Sequence, residues 1–564
     1  MRYVALALDY DGTLAQDSRV TEDTLQCLQR FRQSGRKLIL VTGRILEDLA
    51  SVFPHFELFE RIVAENGAVL YNPETRELEK LAPAPKPVFV DALARRGIQP
   101  LGIGNAIVST WHPNETAVLE IIRDVGLDLQ VIFNKGAVMV LPSGVNKKSG
   151  LMAALESLGI SPHNVAGAGD AENDHAFLEY CECGVAVANA HPAIKEAVDF
   201  VTTQDHGAGV CELAGLILGD DLASRPPARR ALPIGYAGPA AITVPAYGSS
   251  LLVSGASGSG KSTFIAGLLE TLMERHYQVC LIDPEGDYEA FPDTITVGDE
   301  KHPPAIDEVL QILRKPASPV IVNVMGIAVS DRPKFLPTLL PRLLESRMGV
   351  GRPHWIIVDE AHHMLPPEWA PASAGLAGEL NNMILITVHP DHIAPAALKI
   401  VDTVLAVGPA PGKVLEAFAA ATQVAVPSVR PDDLSPGQFL VWLPQSGDIR
   451  TVTMRFARAE RKRHKRNYAY GELSEDRSFY FRGPQHKLNL RAQNLAMFLQ
   501  FAEGLDDETW LYHLKLGDYS RWFREVIKDE ALAEEAAQLE PSDDPRESRN
   551  GIKQAIEQRY TAPA

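Results

Sequence analysis

The sequence has no apolar run reaching the roughly 18 residues that span a bilayer, so no membrane-embedded role is expected. Cysteine is scarce: there are five in 564 residues, Cys27, Cys181, Cys183, Cys211 and Cys280. Their spacing forms neither a disulfide framework nor a zinc pattern, which points to a reducing, cytoplasmic setting. Cys181 and Cys183, two apart, read as core packing. Positive charge is also in deficit. Lys and Arg number 54 against 72 Asp and Glu, a formal charge of −18, which argues against a surface generally attractive to nucleic acid without excluding a local basic site. The opening MRYVALALDYDGT looks superficially like a signal sequence, but acidic residues follow at once and no small-residue cleavage site appears. It reads as a buried strand. No internal repeat is visible.

Hydrophobic residues make up 46% of the chain and charged residues 22%, ordinary values for a globular protein. The length exceeds what one core supports and suggests about three or four domains. From residue 3 to about 222, short apolar runs alternate with helical patterns, the rhythm of an α/β domain with a parallel sheet. Residues of about 84–144 break that rhythm and read as an inserted cap. The Pro- and Arg-rich stretch Ser224-Arg-Pro-Pro-Ala-Arg-Arg230 reads as a linker, placed at 223–240. A second α/β rhythm fills 241–455. From 456 to 564 apolar residues recur at helical spacing, as in Leu495, Phe498, Leu499 and Ala502, so this region is expected to be mostly helical with a partly disordered acidic tail.

A first group of motifs follows strands of the first domain. Asp9-Tyr10-Asp11-Gly12-Thr13 comes directly after the first apolar run, at the sheet edge where open α/β folds bind ligands. Acids at i and i+2 share one face of an extended chain, so one attacks while the other manages protons. Thr42 ends the second run and offers a phosphate a hydrogen bond, with Gly43 permitting close backbone approach. Lys147 after the insert offers charge neutralisation. Gly169-Asp-Ala-Glu-Asn-Asp174 offers hard oxygen ligands suited to Mg²⁺. His112 and Glu115 in the insert read as solvent-facing polar side chains or as substrate contacts.

Taken in order, these pieces resemble the haloacid dehalogenase (HAD) superfamily, specifically its Cof-type phosphatases, over roughly residues 1–222. Gly184-Val-Ala-Val-Ala-Asn189 and Ala193-Ile-Lys-Glu-Ala197 extend the match. The resemblance implies Asp9 as nucleophile forming an aspartyl-phosphate and Asp11 as general acid/base. It implies Thr42 and Lys147 as phosphate contacts, with Lys147 fitting the family's placement better than Lys148. Mg²⁺ would be held by Asp9, Asp11, Asp170 and Asp174, with Asn173 supporting the loop. The insert corresponds to a cap, short for the family, which leaves the substrate open beyond a small phosphomonoester.

The second site is more specific. Gly255-Ala-Ser-Gly258-Ser-Gly260-Lys261-Ser262 matches the phosphate-binding loop GxxxxGK[ST] in full. The glycines let backbone N–H groups wrap phosphates, Lys261 reaches the β/γ oxygens, Ser262 ligates Mg²⁺, and Thr263 follows in the binding turn. Downstream, Trp355-Ile-Ile-Val-Asp359-Glu360 sets Asp359 for the metal and Glu360 for the attacking water, a pairing that favours ATP hydrolysis. Asp359-Glu-Ala-His362 spells a DEAH box, but other helicase motifs are not visible. Leu281-Ile-Asp-Pro-Glu-Gly-Asp-Tyr288 and His354–His362 instead resemble HerA/FtsK-type ATPases over about 240–455. That resemblance implies a RecA-like fold, a homo-oligomeric ring of six and, in many members, movement of DNA. His389 stands where such ATPases commonly carry a polar sensor. Arg347 and Arg352 are candidates for a residue donated across the ring. A basic run at 455–466 keeps DNA or RNA contact open. The leading expectation is a bifunctional phosphohydrolase. The alternatives are a nucleic-acid end-processing enzyme resembling polynucleotide kinase-phosphatase, against which the Asp359-Glu360 pair counts, and a DNA-directed motor in which the phosphatase fold only docks.

Overall fold

A computed structural model of the chain describes every residue except 135, 257, 289–290, 317, 370–379, 427–433, 436, 455–472, 474–476, 528 and 561–564. The basic run at 455–466 therefore lies outside the described residues. Two large sheets organise the protein. The first has eight strands, with Ala5–Asp9 between Lys37–Val41 and Val165–Gly169. Its pairings are parallel from Phe200–Val201 across to Arg61–Ala64, and the outer strands Val69–Asn72 and Glu77–Lys80 turn antiparallel. Ala5–Asp9 is buried along its whole length. That is why it reads as a continuous apolar run and not as an alternating one.

The insert forms its own antiparallel sheet from Gly102–Ile103, Val108–Trp111, Leu129–Asn134 and Ala137–Pro142. Helices Pro87–Arg95 and Glu115–Val125 cover one face, where Phe89, Val108, Val118 and Val140 share a core. Glu65 ties this cap to the main sheet. It is buried at φ +52°, and its carboxylate accepts the backbone N–H groups of Asn105, Ala106 and Ile107 at 2.8, 2.8 and 3.1 Å.

The second sheet has eleven strands, with the phosphate-loop strand Leu251–Ser254 between Met383–Thr387 and Thr403–Val407. Strands Leu232–Ala237 and Ala240–Val244 belong to this sheet, so much of the stretch expected as a linker at 223–240 is folded. Its arginines are bound too: Arg229 and Arg230 donate to the Cys181 carbonyl at 2.8 and 2.7 Å. The planar guanidinium satisfies several carbonyls at once, a use that composition alone does not distinguish from a solvated linker. The C-terminal region packs Phe479, Phe498, Trp510, Tyr519 and Trp522 at the centre of five helices. The last, Pro545–Tyr560, is helical where a partly disordered tail was expected. No helix among the described residues is long and apolar enough to cross a membrane.

The two sheet domains meet through buried polar groups. Glu182 pairs with Arg2 at 2.6 Å, contacts His163 Nδ1 at 2.7 Å and accepts from the Tyr277 hydroxyl at 3.1 Å. His163 also stacks on Tyr277, ring centroids 3.9 Å apart, and Asn164 donates to the Gly351 carbonyl at 3.2 Å. Burial pushes the Glu182 carboxyl up, but the His163 hydrogen bond and the Arg2 charge outweigh it and hold its pKa well below the usual carboxylate range. A depressed folded-state pKa means that the stabilisation is present above the ordinary carboxylate value and is lost as pH falls through the folded one. Glu182→Ala strands Arg2 in the interface and should cost about 3–5 kcal/mol in the unfolding free energy at neutral pH, read by denaturant titration.

Candidate active sites

Asp9 ends a strand flanked on one side by the next strand in sequence and on the other by the distant Val165–Gly169, a topological switch point. Around it the fold gathers three carboxylates, Asp9, Asp170 and Asp174, whose oxygens lie within 4.8 Å of one another, all buried. Lys147 Nζ donates to Asp9 Oδ1 and to Asp174 Oδ1, both at 2.5 Å. Asp174 Oδ2 accepts the backbone N–H groups of Asp170 and Ala171 at 2.9 Å each, and Thr13 donates to Asp170 at 3.1 Å. A Cβ at Gly169 would meet the Asp174 side chain at 2.7 Å, so the turn that brings these acids together requires glycine there. Burial and then the Asp174 charge push the Asp9 pKa up against the pull of Lys147. Burial acts to lower the Lys147 pKa, but Asp174 and Asp9 outweigh it and raise it.

Thr42 is buried beside this group, its hydroxyl accepting the Arg44 N–H at 3.2 Å. Asn173 donates to Asn66 at 3.2 Å and so braces the acidic loop. Asp11 lies apart from the expected metal set. Its carboxylate is held by Arg44 through two 2.7 Å hydrogen bonds, because the planar fork fits both oxygens at once. Arg44 also bonds Asp48 at 2.8 Å. Nothing in the motif spacing singled out Arg44; a cation directly after the Thr42-Gly43 turn was the available signal. Asp9, Asp11 and Arg44 line a cavity of about 870 Å³ that extends under the cap. Lys148 lies over the Tyr180 ring instead. His112 pairs with Glu115 at 2.9 Å, and neither lines the cavity.

In the second domain the loop between Leu251–Ser254 and helix Lys261–Glu274 is shaped by its glycines. Gly258 and Gly260 have φ of +74° and +100°, and a Cβ on Gly255 would lie 2.0 Å from the Val407 carbonyl oxygen. Lys261 Nζ curls into the loop and donates to the Gly255 and Ala256 carbonyls at 2.9 and 3.0 Å. Ser262 and Thr263 occupy the first turn of the helix. Asp359 follows Trp355–Val358, buried next to Asp283 of the neighbouring strand Val279–Asp283. Burial pushes the Asp283 carboxyl up to about 7, and burial followed by the Asp283 and Glu360 charges raises Asp359. Glu360 takes φ +42° and lies 3.4 Å from His362. His362 Nδ1 contacts the Thr387 hydroxyl at 3.0 Å, so it is His362 whose ring reaches the end of strand Met383–Thr387. His389, the expected sensor, contacts Thr387 through its backbone N–H at 2.9 Å. Arg347 and Arg352 are both 1% exposed and bind backbone carbonyls, Pro353 and Asn381 for the first, Gly159 and Arg314 for the second. Neither is available to a neighbouring subunit.

A family model described as haloacid dehalogenase-like hydrolase matches residues 6–101 and 117–213. A phosphoglycolate phosphatase of Methanothermobacter thermautotrophicus is 33% identical over 225 residues, 38% of this chain and 99% of the relative. The chain belongs to the haloacid dehalogenase-like hydrolases. A phosphoglycolate phosphatase of Halorubrum lacusprofundi is 30% identical over 214 residues, 36% of this HAD-like chain and 92% of the relative. A crystal structure of a haloacid dehalogenase-like hydrolase from Bacteroides thetaiotaomicron covers 38% of this chain and 100% of its own, with 21% identity and a TM-score of 0.35. A second model, described as the central domain of helicase HerA, matches residues 235–343. The protein is a hydrolase in which a HAD phosphatase domain is fused to a HerA-type ATPase domain. Gly255→Ala should abolish ATP binding, read by calorimetric titration, because the added Cβ collides with backbone that no side-chain rotation relieves.

Proposed function

We propose that the chain is a bifunctional phosphohydrolase with an Mg²⁺-dependent phosphomonoesterase in its first domain and an ATP-hydrolysing site in its second. The observation that carries the first half is Asp9, set among Lys147, Asp170 and Asp174 at the base of a roomy cavity. Three buried carboxylates face one ammonium, a donor set of hard oxygens left with excess negative charge, which suits a divalent cation. Asp9, Asp170 and Asp174 would hold Mg²⁺, which supplies charge stabilisation to the phosphoryl oxygens and favours the ionised form of Asp9.

Asp9 then attacks phosphorus and the ester oxygen departs, taking a proton from the acid form of Asp11. A water that returns its proton to Asp11 attacks the aspartyl-phosphate and releases phosphate, so both acids end as they began. Lys147 and the Thr42 hydroxyl bind the transferring group, and Arg44 stabilises the Asp11 carboxylate that forms once the proton is given up. The relatives' named substrate, phosphoglycolate, supports a small phosphomonoester as the substrate class.

In the second domain Lys261 leaves the loop carbonyls for the β/γ oxygens of ATP. Ser262 and Asp359 would hold its Mg²⁺, Glu360 would orient water, and Thr263 would support the loop. A homo-oligomeric ring, of six subunits, is supported by the HerA-type match alone. Mass measurement in solution tests it, and a monomer rules it out. DNA or RNA as a partner rests on the same match. Asp9→Asn should abolish hydrolysis of a chromogenic phosphate, and Asp11→Asn should slow it by about 10² to 10⁴-fold. Wild-type turnover in Asp9→Asn would remove the assignment.

A further inference from the structure

The cap sheet forms one wall of the cavity that holds Asp9, and it sorts side chains by face. Val108, Val131 and Val140 pair across three strands and pack against the cap helices. The alternate rows, Ser109 with Met139 and Trp111 with Ala137 and Asn134, therefore face the other way. Ser109, Met139, Trp111 and Asn134 line the same cavity as Asp9. Trp111 is 53% exposed. Across the sheet it faces only the methyl of Ala137, and its ring passes over the Gly136 turn, 3.8 Å from where a Cβ would sit. An indole left open in this way, on a rigid strand in a cavity, offers a flat stacking surface. Beside it Asn134 Oδ1 is buried without a hydrogen-bond partner, an acceptor that a ligand hydroxyl would satisfy.

Charge narrows the class further. Among the described residues, no cap side chain lining the cavity carries a charge. On the opposite wall stand Asp11, Asp17 and Asp48, and the one guanidinium, Arg44, is already committed to Asp11, Asp48 and Ser18. His206, also on the wall, lies 3.5 Å from Asp205, and its buried Nδ1 makes no hydrogen bond. A carboxylate on the leaving group would face these acids, with the one guanidinium of the described lining already engaged. The volume of about 870 Å³ also lies near the upper end of small-molecule sites, about 300–1,000 Å³, far beyond the needs of a two-carbon acid.

Resting on the phosphatase reading above, we infer that the site selects phosphomonoesters with an uncharged, hydroxylated leaving group that has an apolar face to stack on Trp111. The phosphoryl group would sit at Asp9, the hydroxyls at Asn134 and Ser109, and the apolar face on the indole. Hexose phosphates and nucleoside monophosphates share this chemistry.

Full-length protein with Mg²⁺ is assayed for kcat/KM on 2-phosphoglycolate, a hexose 6-phosphate, a nucleoside 5′-monophosphate and a chromogenic aryl phosphate. The hexose or the nucleoside ester should exceed phosphoglycolate by tenfold or more, and the better of the two identifies the source. Trp111→Ala should raise KM for that substrate about tenfold, the size of one aromatic contact, with the loss falling mainly on KM and with recovery in Trp111→Phe. Phosphoglycolate as the best substrate overturns the inference; so does an unchanged KM in Trp111→Ala. Those results leave the phosphatase reading standing. No turnover of any ester, the aryl phosphate included, brings down both.

Discussion

The Lys147 ammonium, shared between Asp9 and Asp174, is the contact on which the first site depends. Three carboxylates buried within 4.8 Å of one another repel strongly in a poorly solvated site, and removing the one adjacent cation would leave that repulsion uncompensated. The backbone places the lysine with little slack. Asn146 caps the helix Lys147–Leu158 by accepting the Ser149 N–H, while Ser149 returns the contact. That helix start is pressed onto the sheet: a Cβ on Gly67 would lie 1.9 Å from the Asn146 carbonyl oxygen, and one on Gly150 would lie 2.4 Å from Val63. Close packing at two glycines thus brings a long side chain to a position where it reaches two acids.

The second domain solves a related problem with backbone instead of side-chain charge. Its loop offers N–H groups and a helix terminus to phosphate; Val407 leaves no room for a Cβ at Gly255, and Gly258 and Gly260 hold positive φ. The two domains are joined by more than their covalent connection. The helix that opens at Lys261 closes at Glu274, and the next residue, Arg275, gives its carbonyl to His163 Nε2 at 2.6 Å. His163 stands just before the strand Val165–Gly169, which delivers Asp170. A short run of rigid elements therefore links the ATP loop to the acidic loop, with Glu182 beside it.

What the sequence made legible follows from where each residue sits on the backbone. Asp9, Thr42, Asp170 and Asp359 each come directly after an apolar run, so their placement at strand ends needed only strand periodicity. Lys261 and its glycines carry a spacing that is itself a shape. Side-chain partners were not legible in this way. Asp11 and Arg44 lie 33 residues apart, and their pairing depends on how two loops approach. Arg347 and Arg352 read as available cations, yet both are consumed by carbonyls that the folded backbone leaves unpaired. The Pro- and Arg-rich composition at 224–230 suggested a solvated linker. The chain there instead delivers two guanidinium groups to the end of helix His175–Tyr180 and then continues as a strand. Trp111 and Asn134 became meaningful only once the cap register showed which face they share.

The central claim is that one chain holds two chemically separate phosphoryl-transfer sites. Measuring both activities on Lys261→Ala tests it most directly, since this substitution removes the loop cation and leaves every residue around Asp9 in place. The account predicts that ATP turnover is lost while phosphomonoester hydrolysis, assayed without nucleotide, continues at the wild-type rate. Loss of both activities in a folded variant would contradict it.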